Sequence, residues 1–283
     1  MGVFAERPSP VQVNFLGYPG TLGADFYDYI IADSIVIPPE HRDFYSESVV
    51  YLPETFFPTD ATGAVGKATS RAEQGLPENG FVFCSFNNSY KFNGEVFAVW
   101  MRLLAQLDDS VLWLPQHRPK VRENLCREAA RHGISEERLV FAKYTDTHAQ
   151  HLARLQVADL FLDTLPYNAH TTAADALRAG LPILTCLGGS FAARVAGSLL
   201  SAVGIPELIT RDLKEYEALA LRLARDRALL ERLRATLKMN LNVHPLFNTA
   251  RYTRHLEAAY RTMHQRSLGG AAPSDICVPK CDG

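Results

Sequence analysis

From Phe81 onward the chain alternates between two hydrophobic rhythms. Phe81-Val-Phe-Cys-Ser-Phe86 is an unbroken apolar block, the pattern of a strand buried on both faces. After Asn87-Asn88-Ser89-Tyr90-Lys91, the residues Val96, Phe97, Val99, Trp100, Leu103, Leu104 and Leu107 recur at helical spacing. The pair then repeats. Strands are predicted at Val111–Leu114, Leu139–Ala142, Leu160–Leu165 and Ile183–Cys186. Helices are predicted at Val121–His132, at Thr147–Val157, from Thr171 or Thr172 to the Gly180-Leu-Pro182 stop, and from the glycine loop Leu187–Ser190 to about Val203. A short strand over Glu207–Thr210 follows, then one long or two abutting charged helices over Asp212–Met239, and another helix from Asn248 to about Arg266. This alternation argues an α/β fold with a parallel sheet covered on both faces.

The N-terminal part is patterned more loosely. Val11–Leu16, Ser34–Ile37 and Ser48–Leu52 read as short strands. The loop Gly17-Tyr-Pro19-Gly20-Thr21-Leu-Gly23 serves equally as a tight turn or as backbone brought close to a ligand. Thr59–Gly80 shifts to Thr, Ala, Gly and charge and reads as a linker. The expected division is a partial first lobe with its linker over 1–75, a second lobe over 76–246, and a C-terminal helix with a loose tail over 247–283, the tail running from Ser267.

In parallel sheets ligands sit beyond the carboxyl ends of the strands, so the loops Asn87–Lys91, Pro115–Arg118, Tyr144–His148, Pro166–Thr172 and Leu187–Ser190 are expected to be neighbours. The junction Leu160–Leu177 carries the sharpest signal. An apolar strand ends at Pro166 and Asn168, and a helix follows at once, with Thr171 or Thr172 able to cap it. Free backbone N–H groups, two hydroxyls and His170 would meet in one volume that suits an anion such as a diphosphate. Lys91, at a strand end on the same edge, can neutralise a phosphate or be an ordinary surface lysine. Asp175 is placed in the helix's first turn, where the dipole favours a carboxylate and ribose hydroxyls could be received. His151 and Arg154 share one helix face beside that edge.

Composition narrows the function. At 283 residues, 47% hydrophobic and net charge −2, the chain has no basic field for nucleic acid. It has no apolar run of signal-peptide or membrane-spanning length, so a cytoplasmic protein with no membrane partner is expected. The five cysteines are an odd, scattered set and read as reduced thiols, and Cys277-Val-Pro-Lys-Cys281 lacks the second pair of a zinc site. No metal is expected. GxGxxG, a Walker lysine loop, Asp-x-Asp and GxSxG are all missing, which argues against a nicotinamide fingerprint, a P-loop, a metal-clamped sugar nucleotide and a serine hydrolase.

Val11-Gln-Val-Asn-Phe-Leu-Gly17-Tyr-Pro-Gly20-Thr21, Phe86-Asn-Asn88-Ser-Tyr-Lys91, Ser110-Val-Leu-Trp-Leu114, Leu162-Asp-Thr164, His170-Thr-Thr172, Asp175 and Pro245-Leu-Phe-Asn248-Thr occur in this order. Together they resemble the catalytic region of the protein O-linked N-acetylglucosamine transferases, from about Arg7 to about His264. The resemblance implies a GT-B architecture of two Rossmann-like lobes, the second of them binding the nucleotide sugar. It also implies metal-independent, inverting transfer of N-acetylglucosamine from UDP-GlcNAc to Ser or Thr hydroxyls of protein acceptors, with no cofactor. On this resemblance Lys91 stabilises the departing diphosphate, and His170, Thr171 and Thr172 form the phosphate-binding helix start. Asp175 receives the ribose, His151 and Arg154 lie beside the uridine, and Leu114 lies near the base. Asn88 stands where the animal enzymes have a glutamine, and His148 where they have a lysine. Gly17, Pro19 and Thr21 belong to a loop on the sugar side.

The family's preceding stretch, with a histidine and an aspartate discussed as catalytic, has no match here, and no 34-residue repeat is present. A fragment, a misread start, or a donor-binding piece completed by another chain is therefore expected. A UDP-sugar-binding lobe without catalysis stays open as the alternative. A GDP-fucose-dependent relative is disfavoured by His170.

Overall fold

In the computed structural model, which describes residues 2–60 and 63–281, the chain builds two parallel sheets. The first contains β1 (Val13–Asn14), β2 (Tyr29–Ala32), β3 (Ser48–Tyr51) and β10 (Ile276–Cys277), in that order. The second runs β6 (Leu139–Phe141), β5 (Ser110–Leu114), β4 (Phe81–Cys84), β7 (Leu160–Leu162), β8 (Ile183–Cys186) and β9 (Ile209–Thr210). Every pairing between these strands is parallel. The four strands β4, β5, β7 and β8 are buried at every position, which is why they read as unbroken apolar runs.

The helices are α1 (Gly2–Ala5), α2 (Gly94–Ala105), α3 (Pro119–Arg131), α4 (His148–Leu155), α5 (Thr171–Arg178), α6 (Val195–Ala202), α7 (Leu213–Arg225), α8 (Arg227–Asn240) and α9 (Thr249–Leu268). The charged stretch after Asp212 is thus two helices. Asp226 ends the first with φ −104° and ψ 82° and caps the second by accepting from Leu229 N.

The two lobes meet through a buried polar contact. Asp33, at the end of β2, accepts from the Ser198 hydroxyl of α6 at 2.6 Å and from the backbone N–H of Phe56, Ile35 and Val36. Arg194 Nε donates to the Ile35 carbonyl beside it. Burial pushes the Asp33 carboxyl above its usual range despite these bonds.

Three sequence expectations change. Ser34–Ile37 is a turn and not a strand, because the Asp33 carboxylate takes the N–H groups a ladder would have used; the strand lies just upstream, at β2. The linker lies against the second lobe: Gly66 N donates to Ala149 O at 2.9 Å, and a Cβ on Gly66 would come within 2.7 Å of that carbonyl. Arg71 reaches Asp159 at 2.7 Å.

The tail read as loose is ordered instead over its described residues, to Cys281, while 282–283 lie outside them. After α9 the chain returns to the first lobe, where β10 pairs with β3. Asp275 accepts from Arg42 at 2.7 and 2.9 Å and from Val49 N at 2.8 Å. Helix α9 packs there too, through Tyr252 Oη on the Phe56 carbonyl and the Arg251–Glu54 ion pair. Where the chain crosses back, Thr249 Oγ1 donates to Thr59 O at 3.1 Å and Thr59 Oγ1 to the Leu246 carbonyl, so the two connections between lobes are bonded to each other.

Candidate functional site

The strand order of the second sheet reverses between β4 and β7, and the crevice at such a switch point lies beyond their carboxyl ends. The loops after these strands meet there, joined by an antiparallel bridge between Phe92 and Pro166. Helix α5 starts at Thr171, with His170 as an N-cap whose side chain makes no capping bond. The expectation that Thr171 or Thr172 caps the helix is therefore corrected. Ala173 and Ala174 N–H bond to the His170 carbonyl, while the N–H groups of Thr171 and Thr172 have no partner among the described residues. These two donors, at the positive end of the helix, suit an anion.

Lys91 reaches the same place from the β4 loop. Its Nζ donates to Asn168 O at 3.0 Å and stands 4.4 Å from the centre of the Tyr167 ring. Burial lowers its pKa, and the buried Asp163 nearby opposes that shift. The other face of the problem is His170, stacked on Tyr167 with ring centres 4.8 Å apart. Its Nε2 lies 3.1 Å from Ala192 O, which can only accept, so that nitrogen carries the proton. Burial brings its pKa down to about 4, and the ring is neutral. Its N–H is committed to a carbonyl, and its Nδ1 lone pair is what remains.

The nucleoside residues expected from sequence gather on α4 and α5. Thr147 and Gln150 form a capping box that starts α4 at His148. Asp175 lies in the second turn of α5 and not the first, and it accepts from His148 Nε2 at 2.8 Å; His151 Nε2 is 3.8 Å away. Arg154 donates to His151 Nδ1 at 3.1 and 2.9 Å and covers the Phe86 ring at 4.7 Å. Burial and the Arg154 charge bring His151 to about 4, so it too is neutral, with Nε2–H aimed toward Asp175. Leu114 is fully buried at the end of β5, so its side chain faces the core. Asn88 is exposed and lines a separate cavity of about 500 Å³ with Phe86, Gln116, His117 and Arg118.

The first lobe supplies the opposing wall. Gly17, Tyr18 and Pro19 face Tyr167, His170 and Phe191 across a cavity of about 140 Å³. A wider cleft of about 490 Å³ shares Tyr18, Pro19, Tyr167 and Phe191 with it and extends to Thr21 and Phe44. Thr21 fastens the loop by donating to Glu47 at 2.6 Å. The glycine loop is therefore both a turn and a cleft wall. No group of three or more His, Cys, Asp or Glu able to hold a metal occurs among the described residues.

The sequence did not single out Asn87, Asp163 and Tyr167 as site residues. Asp163 directly follows β7 and Asn87 comes shortly after β4, and a polar residue closing a fully buried strand was the available signal for these two; Tyr167 lies deeper in its loop and carried none.

Two Rossmann-like lobes with a cleft between them form the GT-B architecture found in glycosyltransferases. The chain superposes on a mutant of the O-GlcNAc transferase of Thermobaculum terrenum with a TM-score of 0.86 and 32% identity, over 94% of this chain and 51% of that one. It matches the model of glycosyl transferase family 41 over residues 1–66 and 64–256, and it belongs to that family. It is 34% identical over 99% of its length to the probable UDP-N-acetylglucosamine–peptide N-acetylglucosaminyltransferase SEC of Arabidopsis thaliana. It is 35% identical over 97% of its length to the SPINDLY protein of Petunia hybrida, named likewise. It spans 29% and 30% of those relatives. A sucrose-phosphate synthase from Thermosynechococcus elongatus, at TM-score 0.62 and 18% identity over 84% of this chain and 59% of that one, shares the fold.

Proposed function

We propose that this chain supplies the donor site and inter-lobe cleft of an inverting glycosyltransferase that moves N-acetylglucosamine from UDP-GlcNAc to Ser or Thr hydroxyls of proteins. One observation carries the reading: the Lys91 ammonium and the unpaired N–H groups of Thr171 and Thr172 converge at a switch-point crevice, with His151, Arg154 and Asp175 grouped beyond them. A diphosphate fits the first group and a nucleoside the second. The relatives' names supply the donor and the acceptor class.

In the reaction the acceptor oxygen bonds the anomeric carbon with inversion and a base takes its proton. The bond from that carbon to the β-phosphate oxygen breaks, and UDP leaves with the added negative charge. Lys91 and the helix start meet that charge where it grows, in a site already oriented for it. His170 is neutral, so the positive charge that meets the diphosphate comes from Lys91 and the helix start. Calorimetric titration with UDP and then UDP-GlcNAc tests the reading. Micromolar binding that is clearly weakened in Thr171→Pro, which removes one N–H and the hydroxyl at a helix position that proline suits, supports it; a folded chain that binds neither nucleotide defeats it. A segment or second chain that completes the first lobe, and a cytoplasmic location, belong to the same proposal.

A further inference from the structure

The buried polar groups under α5 decide which way the Thr172 hydroxyl points. Asn87 is 1% exposed, just past β4. Its Nδ2 is 3.0 Å from Thr164 Oγ1 and 3.4 Å from Asp163 Oδ1, and its Oδ1 is 2.7 Å from Thr172 Oγ1. The amide is not free to turn over. Thr164 gives its single hydroxyl proton to the Tyr167 carbonyl at 2.6 Å, so toward Asn87 it can only accept. Asp163 Oδ1 already takes the N–H groups of Thr164 and Ala169, at 2.7 and 2.6 Å, and it too faces Asn87 as an acceptor. The NH₂ of Asn87 must therefore face Thr164 and Asp163, leaving its carbonyl oxygen toward Thr172. Thr172 has one proton and spends it on that oxygen. What its hydroxyl shows the cleft is lone pairs.

We propose that Asn87 is a positioning residue that makes Thr172 a hydrogen-bond acceptor toward the bound donor. The backbone N–H groups and the exposed Thr171 hydroxyl are then left to meet the diphosphate. A phosphate oxygen has no proton to give Thr172, whereas a hydroxyl of the ribose or of the sugar does. The relay thus sorts two neighbouring threonines, alike in sequence, into one donor and one acceptor. The inference rests on the nucleotide reading given above.

The test is calorimetric titration of the full chain with UDP. Thr171→Val removes a hydroxyl that donates to a charged group, and affinity falls about tenfold. Thr172→Val causes a clearly smaller fall. On an Asn87→Ala background the order reverses, because the freed Thr172 proton turns to the diphosphate and its loss then becomes the larger one. Equal losses for the two threonines in the otherwise native chain, or no growth of the Thr172 effect on the Asn87→Ala background, overturn the relay. If Asn87→Ala does not fold, the comparison in the native chain decides alone. A second measurement needs no nucleotide: in ¹⁵N-labelled protein the Asn87 side-chain amide protons exchange slowly and show stronger through-space contacts to Thr164 Hβ than to Thr172 Hβ. The opposite ranking means a flipped amide and defeats the proposal. A native chain with the expected amide contacts that binds no UDP would keep the relay and sink the nucleotide reading instead.

Discussion

Lys91 and Asn168 stand 77 residues apart in the chain, and the ammonium of one donates to the carbonyl of the other at 3.0 Å. The contact holds Lys91 over Tyr167 before any substrate arrives, so its charge needs little rearrangement to meet a leaving group. Removing one such preorganised stabiliser typically raises a barrier by about 3 kcal/mol. Lys91→Ala is expected to lower kcat for glycosyl transfer by on the order of a hundredfold, with a modest change in UDP affinity. Full turnover in that variant, measured with saturating donor, would remove Lys91 from the chemistry.

Two half-buried histidines should contribute a loss of stability on acidification between pH 6.5 and about 4. His151 and His170 are held at about 4 in the fold against an ordinary 6.5, so across that window the unfolded chain binds protons that the native one refuses. Their contribution is complete above 6.5 and declines as pH drops. Asp163, pushed up to about 7 by burial from 3.8, and Asp33 and Asp175, also raised by burial, work in the opposite sense, so the histidine contribution is read from the difference between variants. Melting temperatures from pH 7.5 to 4 should fall less steeply in His170→Gln than in the native chain. An identical slope would mean that His170 titrates normally.

Asp159 is buried at the start of β7 and accepts from Val82 N at 2.7 Å, Arg71 at 2.7 Å and Arg227 at 3.2 Å, with Arg234 at 3.5 Å. It ties the linker, two strands and α8 together. Asp159→Ala leaves buried donors and charge unpaired and should destabilise by about 3–5 kcal/mol in urea titration. A loss below about 1 kcal/mol would show the arginines to be well solvated without it.

Ser198→Ala removes one donor from the Asp33 carboxylate at the junction of the lobes, and a loss of about 1–3 kcal/mol is expected. Ser198→Thr keeps the hydroxyl but adds a methyl group at a fully buried position, so it should cost stability through overpacking while retaining the bond. If denaturation leaves Ser198→Ala as stable as the native chain, the contact between lobes does not depend on this bond.

Much of the second lobe was legible because its strands are buried on both faces and its helices carry apolar stripes; both rhythms are local. The first lobe was harder. Ser34–Ile37 has strand composition, but the Asp33 side chain takes up its N–H groups, and a side chain that competes with the ladder leaves no trace in periodicity. β10 is two residues long, and Asp275 lies 226 residues from its partner Val49, so Gly- and Pro-rich composition pointed to a free tail. At the site, the resemblance named residues that would touch a ligand, whereas Asn87 and Asp163, which bond to the loops around them, were not singled out. A supporting residue is recognised by its partners, and partners come from the fold.

The two connections between the lobes, bonded side by side at Thr59 and Thr249, have a mechanical meaning. A body joined to another by one strand can swing in any direction. Joined by two strands at a common seam, it pivots about a line through that seam. Any widening of the cleft would then move Tyr18 and Phe44 along arcs about Thr59, with displacement growing with distance from it, so opening would be a rotation about a fixed axle.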